Sequence, residues 1–441
     1  MNKVLILLVL FFCCMSPMCS ASVLCANDNK KERAIDSAKQ KKKQYKELQQ
    51  KVKTAQGLAV GRKPNYASAW TTIKPLLSDT LVNKEANTWF VAGLIQNKLE
   101  LVQAEKIFLK QAYDTVAYYR SIYDMAGYFH TADSLAHMYE SHSQLYKYRR
   151  AIRKMLSPDM VNLYYGGLYY ALKEKYQEAH PFFTRYIESF QWPIFSQSKL
   201  GSKVPLARVA YYQVLCGYVL KKPNVITKYA PMVLADTALT RNVLPIISDT
   251  YHAQNDTTLW LSSLKRGLRD YRDEPFYYAS LIEYYCDVKQ FDKAMALVDT
   301  QMSMDTEQSS HKQAQHLYLR GLIFHKRNKL DQAIVYYKRA IQCDSAYAMA
   351  YANLGVIYSL KTVGLESQLE ILSMNNPEYN QTIDKIHDLY CKAQPYYEKA
   401  RELRPKSPQL WAQGLYRVYY KLNMGDKFKE VEPYIEQLRN K

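Results

Sequence analysis

The chain has 441 residues, more than the ~250–300 at which a single hydrophobic core stops growing. It therefore comprises several domains or a repeat array that gains length without one core. Only 14 glycines and 16 prolines punctuate it. Long breaker-free stretches of Ala, Leu, Lys, Gln and Glu exclude a turn-rich β architecture and predict an all-α fold. The formal net charge of +19 favours anionic partners, whether acidic protein, lipid headgroup, anionic glycan or nucleic acid, without choosing among them. Tyrosine is abundant at 40 residues; its apolar body and polar tip suit half-buried seams between helices.

In chain order, the first segment reads as an address. Met1-Asn2-Lys3 is a short positive start, Val4 to Phe12 is apolar, and Ser20-Ala21-Ser22 is a small-x-small cleavage site before the polar Asn27 to Lys31. This is the layout of a secretory signal, so residues 1–26 are expected to be a signal peptide. The protein is expected to be exported, to the periplasm or an outer-membrane-associated position. The uncharged run from Val4 to Ala26 is long enough to span a bilayer if uncut, but its polar second half contains Pro17. The residues before Cys19 and Cys25 make poor lipidation signals. No later segment is apolar enough to cross a membrane, so membrane association would run only through the N-terminus, if it is uncleaved or is lipidated as in a lipoprotein. Residues 27–63 are strongly basic with sparse apolar side chains, and read as a solvated basic helix, a mobile arm or a cap.

Residues 64–240 carry degenerate helical repeats. Trp89-Phe90-Val91-Ala92-Gly93 opens one, with Ala104 and Phe108 expected on its second helix; Leu163, Gly167 and Tyr170 open another, answered by Ala179 and Phe183. From 241 to 441 the pattern sharpens. Leu244 and Tyr251 precede Leu264, and Tyr278, Leu281 and Tyr285 precede Ala294. The clearest copy, residues 314–347, places Leu317, Gly321 and Phe324 at helical spacing on one helix and Ala333, Tyr337 and Ala340 on the next, with a polar break from Lys326 to Lys329. Tyr351, Leu354, Gly355 and Tyr358 restart it, Gly355 standing 34 residues beyond Gly321. An insertion at about 361–388 is predicted to lengthen both helices and to expose a turn at Asn375-Asn376-Pro377. Ala393, Tyr397, Ala400 and Pro405 then resume the second helix, and Trp411 begins a final pair.

These residues resemble the tetratricopeptide (TPR) repeat, whose first helix reads W-x-x-L-G-x-x-Y and whose second places Ala, an aromatic and Ala before a closing Pro. The resemblance is strong over 275–358 and 391–411, weak over 113–157 and 194–240, and its style is similar to exported TPR proteins of Bacteroidota. It implies a right-handed superhelical solenoid of helix-turn-helix repeats that binds a protein or peptide in a concave groove lined by first helices. Carried over, the groove candidates are Phe90, Leu94, Asn97 and Lys98; Tyr164 and Leu168; Tyr318, Leu322, His325 and Lys326; and Tyr416, Tyr419 and Tyr420. Such an aromatic, partly basic groove suits an acidic peptide. The clamp that some relatives use for chaperone tails does not map: Asn353 is present, but Leu319 stands where its counterpart would be.

The sequence holds no glycine-rich phosphate loop, no H-E-x-x-H and no G-x-S-x-G. Cys216, Cys286, Cys343 and Cys391 sit in separate repeats without a C-x-x-C pair, and read as small buried apolar residues. No catalytic residue, metal site or cofactor is expected. Tyr pairs such as Tyr118-Tyr119, Tyr169-Tyr170, Tyr211-Tyr212 and Tyr336-Tyr337 read as helix packing, which does not favour a nucleic acid partner. Asp-Ser/Thr-small triplets at Asp36, Asp79, Asp114, Asp133, Asp236 and Asp344 resemble the O-glycosylation sequon of Bacteroidota exported proteins, or serve as helix caps. The expected function is a non-catalytic protein-binding scaffold of the cell envelope. The alternative is a basic surface for anionic glycan or lipid.

Overall fold

The computed structural model describes residues 19–195, 203–304 and 309–439, with side chains from Ala38 onward. The expected signal peptide therefore lies outside the described residues up to position 18. Among the described residues every regular element is helical, and no helix is long and apolar enough to cross a membrane. The chain divides into two compact units, residues 1–243 and 244–441. Each is a solenoid of helix hairpins.

In the first unit, α1 (Cys19–Val60) and α2 (Tyr66–Ile73) form the opening hairpin. Leu48, Val52, Ala55 and Ala59 of α1 pack with Ala69 and Ile73 of α2 and with Val91 and Ile95 of α3 (Ala86–Phe108). Residues 27–60 are helical, but from Leu48 onward one face of that helix is packed, which corrects the reading of a solvated helix or arm. The four residues form a helical stripe that the surrounding lysines conceal in the composition. The segment from 39 to 47 does keep its lysines exposed.

A second correction concerns the Trp89 copy. The α3 helix runs unbroken through Ala104 and Phe108, and its partner is α4 (Thr115–Tyr139). Gly93 faces Phe129 so closely that a Cβ there would lie 2.5 Å from the ring, while Phe108 is 85% exposed. The pairing geometry is the expected one, displaced onto a longer hairpin. The chain continues through α5 (His142–Leu156), the pair α6 (Met160–Ala171) and α7 (Tyr176–Ser189), and the pair α8 (Leu206–Val219) and α9 (Pro223–Leu234); the residues of α10 (Thr237–Ala253) from Leu244 onward belong to the second unit. Gly167 faces Phe183, and Gly217 faces Ile226.

The second unit stacks α11 (Thr257–Asp270), α12 (Pro275–Asp287) with α13 (Phe291–Met304), α14 (Ser310–Lys326) with α15 (Leu330–Cys343), α16 (Ala348–Ile371) with α17 (Pro377–Leu403), and α18 (Ala412–Lys421) with α19 (Gly425–Arg439). The α10–α11 hairpin is tied by Ser263 Oγ donating to Ser248 Oγ at 2.9 Å. Gly321 faces Tyr337 and Gly355 faces Tyr397; a Cβ at either glycine would come within 2.8 Å of the ring. Glycine is needed here for approach, not for turning. It lets the helices close until the tyrosine ring fills the seam. Because α16 and α17 have 24 and 27 residues against 17 and 14 in α14 and α15, their ends project as an arm. Its turn leaves Ile371 85% and Met374 78% exposed, and Asn376 caps α17 by accepting from Glu378 N at 2.9 Å.

The hairpin turns share one device. Lys110, Glu174, Lys221, Asn255, Lys289, Asn328 and Asn423 all adopt a left-handed φ of 54–59°, the usual stop that turns a helix end back on itself. Lys221, Asn255 and Lys289 are 34 residues apart, which makes the repeat register visible where side chains diverge. The aspartates of the Asp-Ser/Thr triplets serve as caps: Asp114 Oδ1 accepts from Ala117 N at 2.9 Å, Asp236 Oδ1 from Ala238 N at 3.0 Å, and Asp344 Oδ1 from Ala346 N at 2.9 Å. Asp133 instead takes a bidentate hold on Arg149. Asp114→Ala should cost about 1 kcal/mol, visible as faster amide exchange in the first turn of α4 with other hairpins unchanged.

Candidate binding face

In the second unit the first helices α12, α14, α16 and α18 lie side by side, each touching the next as well as its own partner. The contacts between them are polar and directional. Lys326 Nζ of α14 donates to Asp287 of α12 at 2.9 Å. Asn353 Nδ2 of α16 donates to Tyr318 Oη of α14 at 3.0 Å. Arg417 of α18 donates to Glu366 of α16 at 2.8 Å, and Lys421 Nζ lies 2.8 Å from the same carboxylate. Lysine and arginine donors hold Glu366 below the usual carboxylate range against the opposing effect of burial. These pairs are half-exposed, so they orient the row more than they stabilise it.

The groove candidates divide sharply. Lys326 is exposed and Leu322 half-buried on this face, and Tyr420 is 70% exposed on α18. Tyr416 lies half-buried against Phe428 at 4.3 Å. Tyr318, however, is buried: its ring sits 5.5 Å from Tyr337 of its own hairpin and 5.4 Å from Tyr347 of the next, and burial pushes its hydroxyl up to about 12. Tyr419 is buried and donates to Glu398 at 2.9 Å. His325 is half-buried, with its imidazole pushed down by desolvation and then by Lys326. Tyr318 and Tyr419 are therefore seam residues and not partner contacts. The same position that opens to a groove in one hairpin is covered here by its neighbour.

In the first unit no such row forms from α3. The helix that packs on α6 and α7 is α4, through Tyr123 against Phe182 at 4.8 Å and the Arg185 guanidinium 3.6 Å over Tyr123. Phe90 is half-buried between Phe129 and Tyr148, at 5.8 and 5.1 Å. Leu94 and Lys98 are half-buried and Asn97 is buried. Tyr164 is buried among Tyr165, Phe183, Tyr186 and Tyr212, with Leu168 half-buried beside it. Asn97 and Tyr164 are thus corrected to core positions. An extra helix, α5, and the long α3–α4 pair displace the regular stacking that the carry-over assumed.

Sequence reasoning missed Leu360, 42% exposed, and Val363, 45% exposed. Leu360 stands 34 residues after Lys326, so the repeat register was the available signal. Cys216 and Cys286 are buried thiols pushed up to about 12 and 11 by desolvation, whereas Cys391 is exposed. Among the described residues no three His, Cys, Asp or Glu side chains gather closely enough to hold a metal.

Residues 321–361 match a family model described as TPR repeat. No curated protein matches the chain. Similar solved structures include the C-terminal part of a TPR repeat-containing protein from Cytophaga hutchinsonii, at 12% identity over 60% of this chain and 91% of that one, with a TM-score of 0.35. A TPR repeats protein from Bacteroides fragilis has 16% identity over 59% of this chain and 98% of its own, TM-score 0.23. Yeast Tom70 has 13% identity over 89% and 91%, TM-score 0.31. Likeness at these scores carries no argument about function. Gly321, Tyr337 and Gly355, which take part in close glycine–tyrosine contacts of the second unit, all fall within the matched TPR repeat.

Proposed function

We propose that this protein is a non-catalytic scaffold of the cell envelope that holds a partner protein or peptide along the first-helix face of its second unit. The observation that carries the reading is the row α12, α14, α16 and α18, which carries the exposed side chains Met349, Leu360 and Val363 on α16, Lys326 on α14 and Arg417 on α18. Apolar side chains interleaved with cations suit an extended or helical segment bearing acidic residues. The N-terminal charge and hydropathy layout supports export, and the net charge of +19 supports an anionic partner. That charge also favours a second reading, an anionic glycan or lipid of the envelope.

A photo-crosslinking residue at Leu360 in the native cell should give a discrete protein adduct. The same residue at Val335 on α15, 55% exposed, should not. Equal adducts at both, or none at either, would remove the reading. Adducts that carry lipid or glycan and vanish as salt rises from ~0.05 to ~0.5 M would favour the second one. A mature N-terminus between residues 20 and 27, by mass spectrometry, tests export.

A further inference from the structure

A cavity of about 380 Å³ opens in the second unit between the starts of α14 and α16 and the turn before α18. That volume lies within the ~300–1,000 Å³ of sites that enclose small ligands. Its walls include His311, Gln315, Tyr347, Met349, Arg404 and Gln409, and among the described residues no acidic side chain lines it. One wall is apolar: Tyr347 is buried and Met349 is 43% exposed.

Several polar groups on the wall have donors to offer. Among the described residues Arg404 makes no ion pair, and the side-chain amides of Gln315 and Gln409 make no hydrogen bond. Tyr347, the residue before α16, gives no side-chain cap. The N–H groups of Ala348 and Met349, both on the cavity wall, have no backbone acceptor, whereas Ala350 N reaches Tyr347 O at 3.1 Å. The nearby carboxylate of Asp344 is already engaged. It accepts from Ala346 N at 2.9 Å and lies 2.7 Å from His311 Nδ1, which holds the imidazole at the cavity wall.

We propose that this cavity binds a carboxylate borne by a peptide with an apolar neighbouring residue, the carboxylate being an acidic side chain or a free chain end. The inference rests on the scaffold reading and specifies its partner's chemistry. A guanidinium presents a planar fork that matches a carboxylate. The amides and free backbone N–H groups complete its coordination, and the Tyr347–Met349 wall takes the adjoining aliphatic side chain. A phosphate monoester would bring nearly two charges to a wall with a single permanently charged side chain.

The test uses the full chain and fluorescein-labelled Gly-Ser-Leu-Glu with a free terminus, read by anisotropy. The companion probes are the Leu-Glu amide, Leu-Gln free acid and Leu-Gln amide forms. The Leu-Gln amide should bind at least ~10-fold more weakly than the best acid, and the other two arms report which carboxylate is used. Arg404→Gln should weaken binding by ~10–100-fold, as expected for a hydrogen bond to a charged group. Met349→Trp should abolish it by filling the cavity, and Lys429→Gln, on α19, should leave it unchanged. Met349 and Arg404 are exposed, so unchanged thermal unfolding accompanies each variant if the fold is intact. Binding of all four probes alike, undiminished binding to the Arg404 and Met349 variants, or no binding of any acid at ~1 mM would each overturn the proposal. A Leu360 adduct that persists while the acids fail to bind would overturn the cavity alone and leave the scaffold standing.

Discussion

Tyr337→Ala should destabilise the second unit by about 3–5 kcal/mol, the range for emptying a buried aromatic site. Tyr337 is fully buried on α15, against Gly321 of its own hairpin and 5.5 Å from Tyr318. Nothing nearby can refill the volume, because the glycine opposite has no side chain to advance. The loss should appear first as exchange of α14 and α15 amides, since a stacked array fails at its weakened interface before it fails as a whole. Tyr337→Phe should behave differently. The Tyr337 hydroxyl is buried with no hydrogen-bond partner, and burial pushes its pKa far above the ordinary value. Removing that oxygen should be neutral or stabilising by about 1 kcal/mol. If Tyr337→Ala leaves exchange protection of α14 and α15 within ~1 kcal/mol of wild type, the small-against-aromatic seam does not hold the hairpin together.

The second large effect is a pH dependence in the first unit. Glu100 on α3 is 1% exposed and its Oε2 has no partner. Burial, and then the charge of Asp159, push its carboxyl up to about 8 from an ordinary 4.5. The groups around it offer little compensation. Asn162 Nδ2 divides itself between Tyr118 Oη at 3.1 Å and Asp159 Oδ1 at 3.2 Å. Asp159 is itself raised, mainly by burial, with Asn162 and Lys203 opposing. A folded pKa above the unfolded one means the native state holds the proton more tightly. Stability is therefore fullest below the unfolded value, falls as pH climbs toward 8, and levels off beyond it. Each pH interval of one across that window is worth ~1.4 kcal/mol, so the loss amounts to a few kcal/mol. Glu100→Gln keeps the shape of the neutral acid. It should match wild type near pH 4.5 and exceed it by that amount near pH 8.5, measured by urea unfolding with amide exchange localised to α3. Parallel wild-type and variant curves across the range would sink this account.

Much of the second unit was readable because hairpin pairing is local. Gly321 and Tyr337 lie 16 residues apart, and the helical period places them on facing sides without knowledge of any other repeat. The same local logic located the lengthened α16–α17 pair and its exposed turn. It failed at the Trp89 copy because Gly93 meets Phe129 across a longer hairpin, and Phe108 stood by chance at the expected spacing. It also failed at α1, where a four-residue apolar stripe lies within a lysine-rich helix.

By itself, then, the sequence determined that the chain is helical, that its helices pair as hairpins, and which small and aromatic residues meet inside most of them. Those properties follow from side-chain periodicity and from contacts within a few tens of residues. Which candidate residues face a partner was decided only by tertiary structure. Tyr318 is covered by Tyr347 and Asn353 of the following hairpin, and Glu100 is buried near Tyr118 of α4 and Asp159, the residue before α6. The Arg404 cavity exists only because two helix starts and the turn before α18 surround it. Burial is a property of neighbours, and the neighbours that matter here stand more than one hairpin away along the chain.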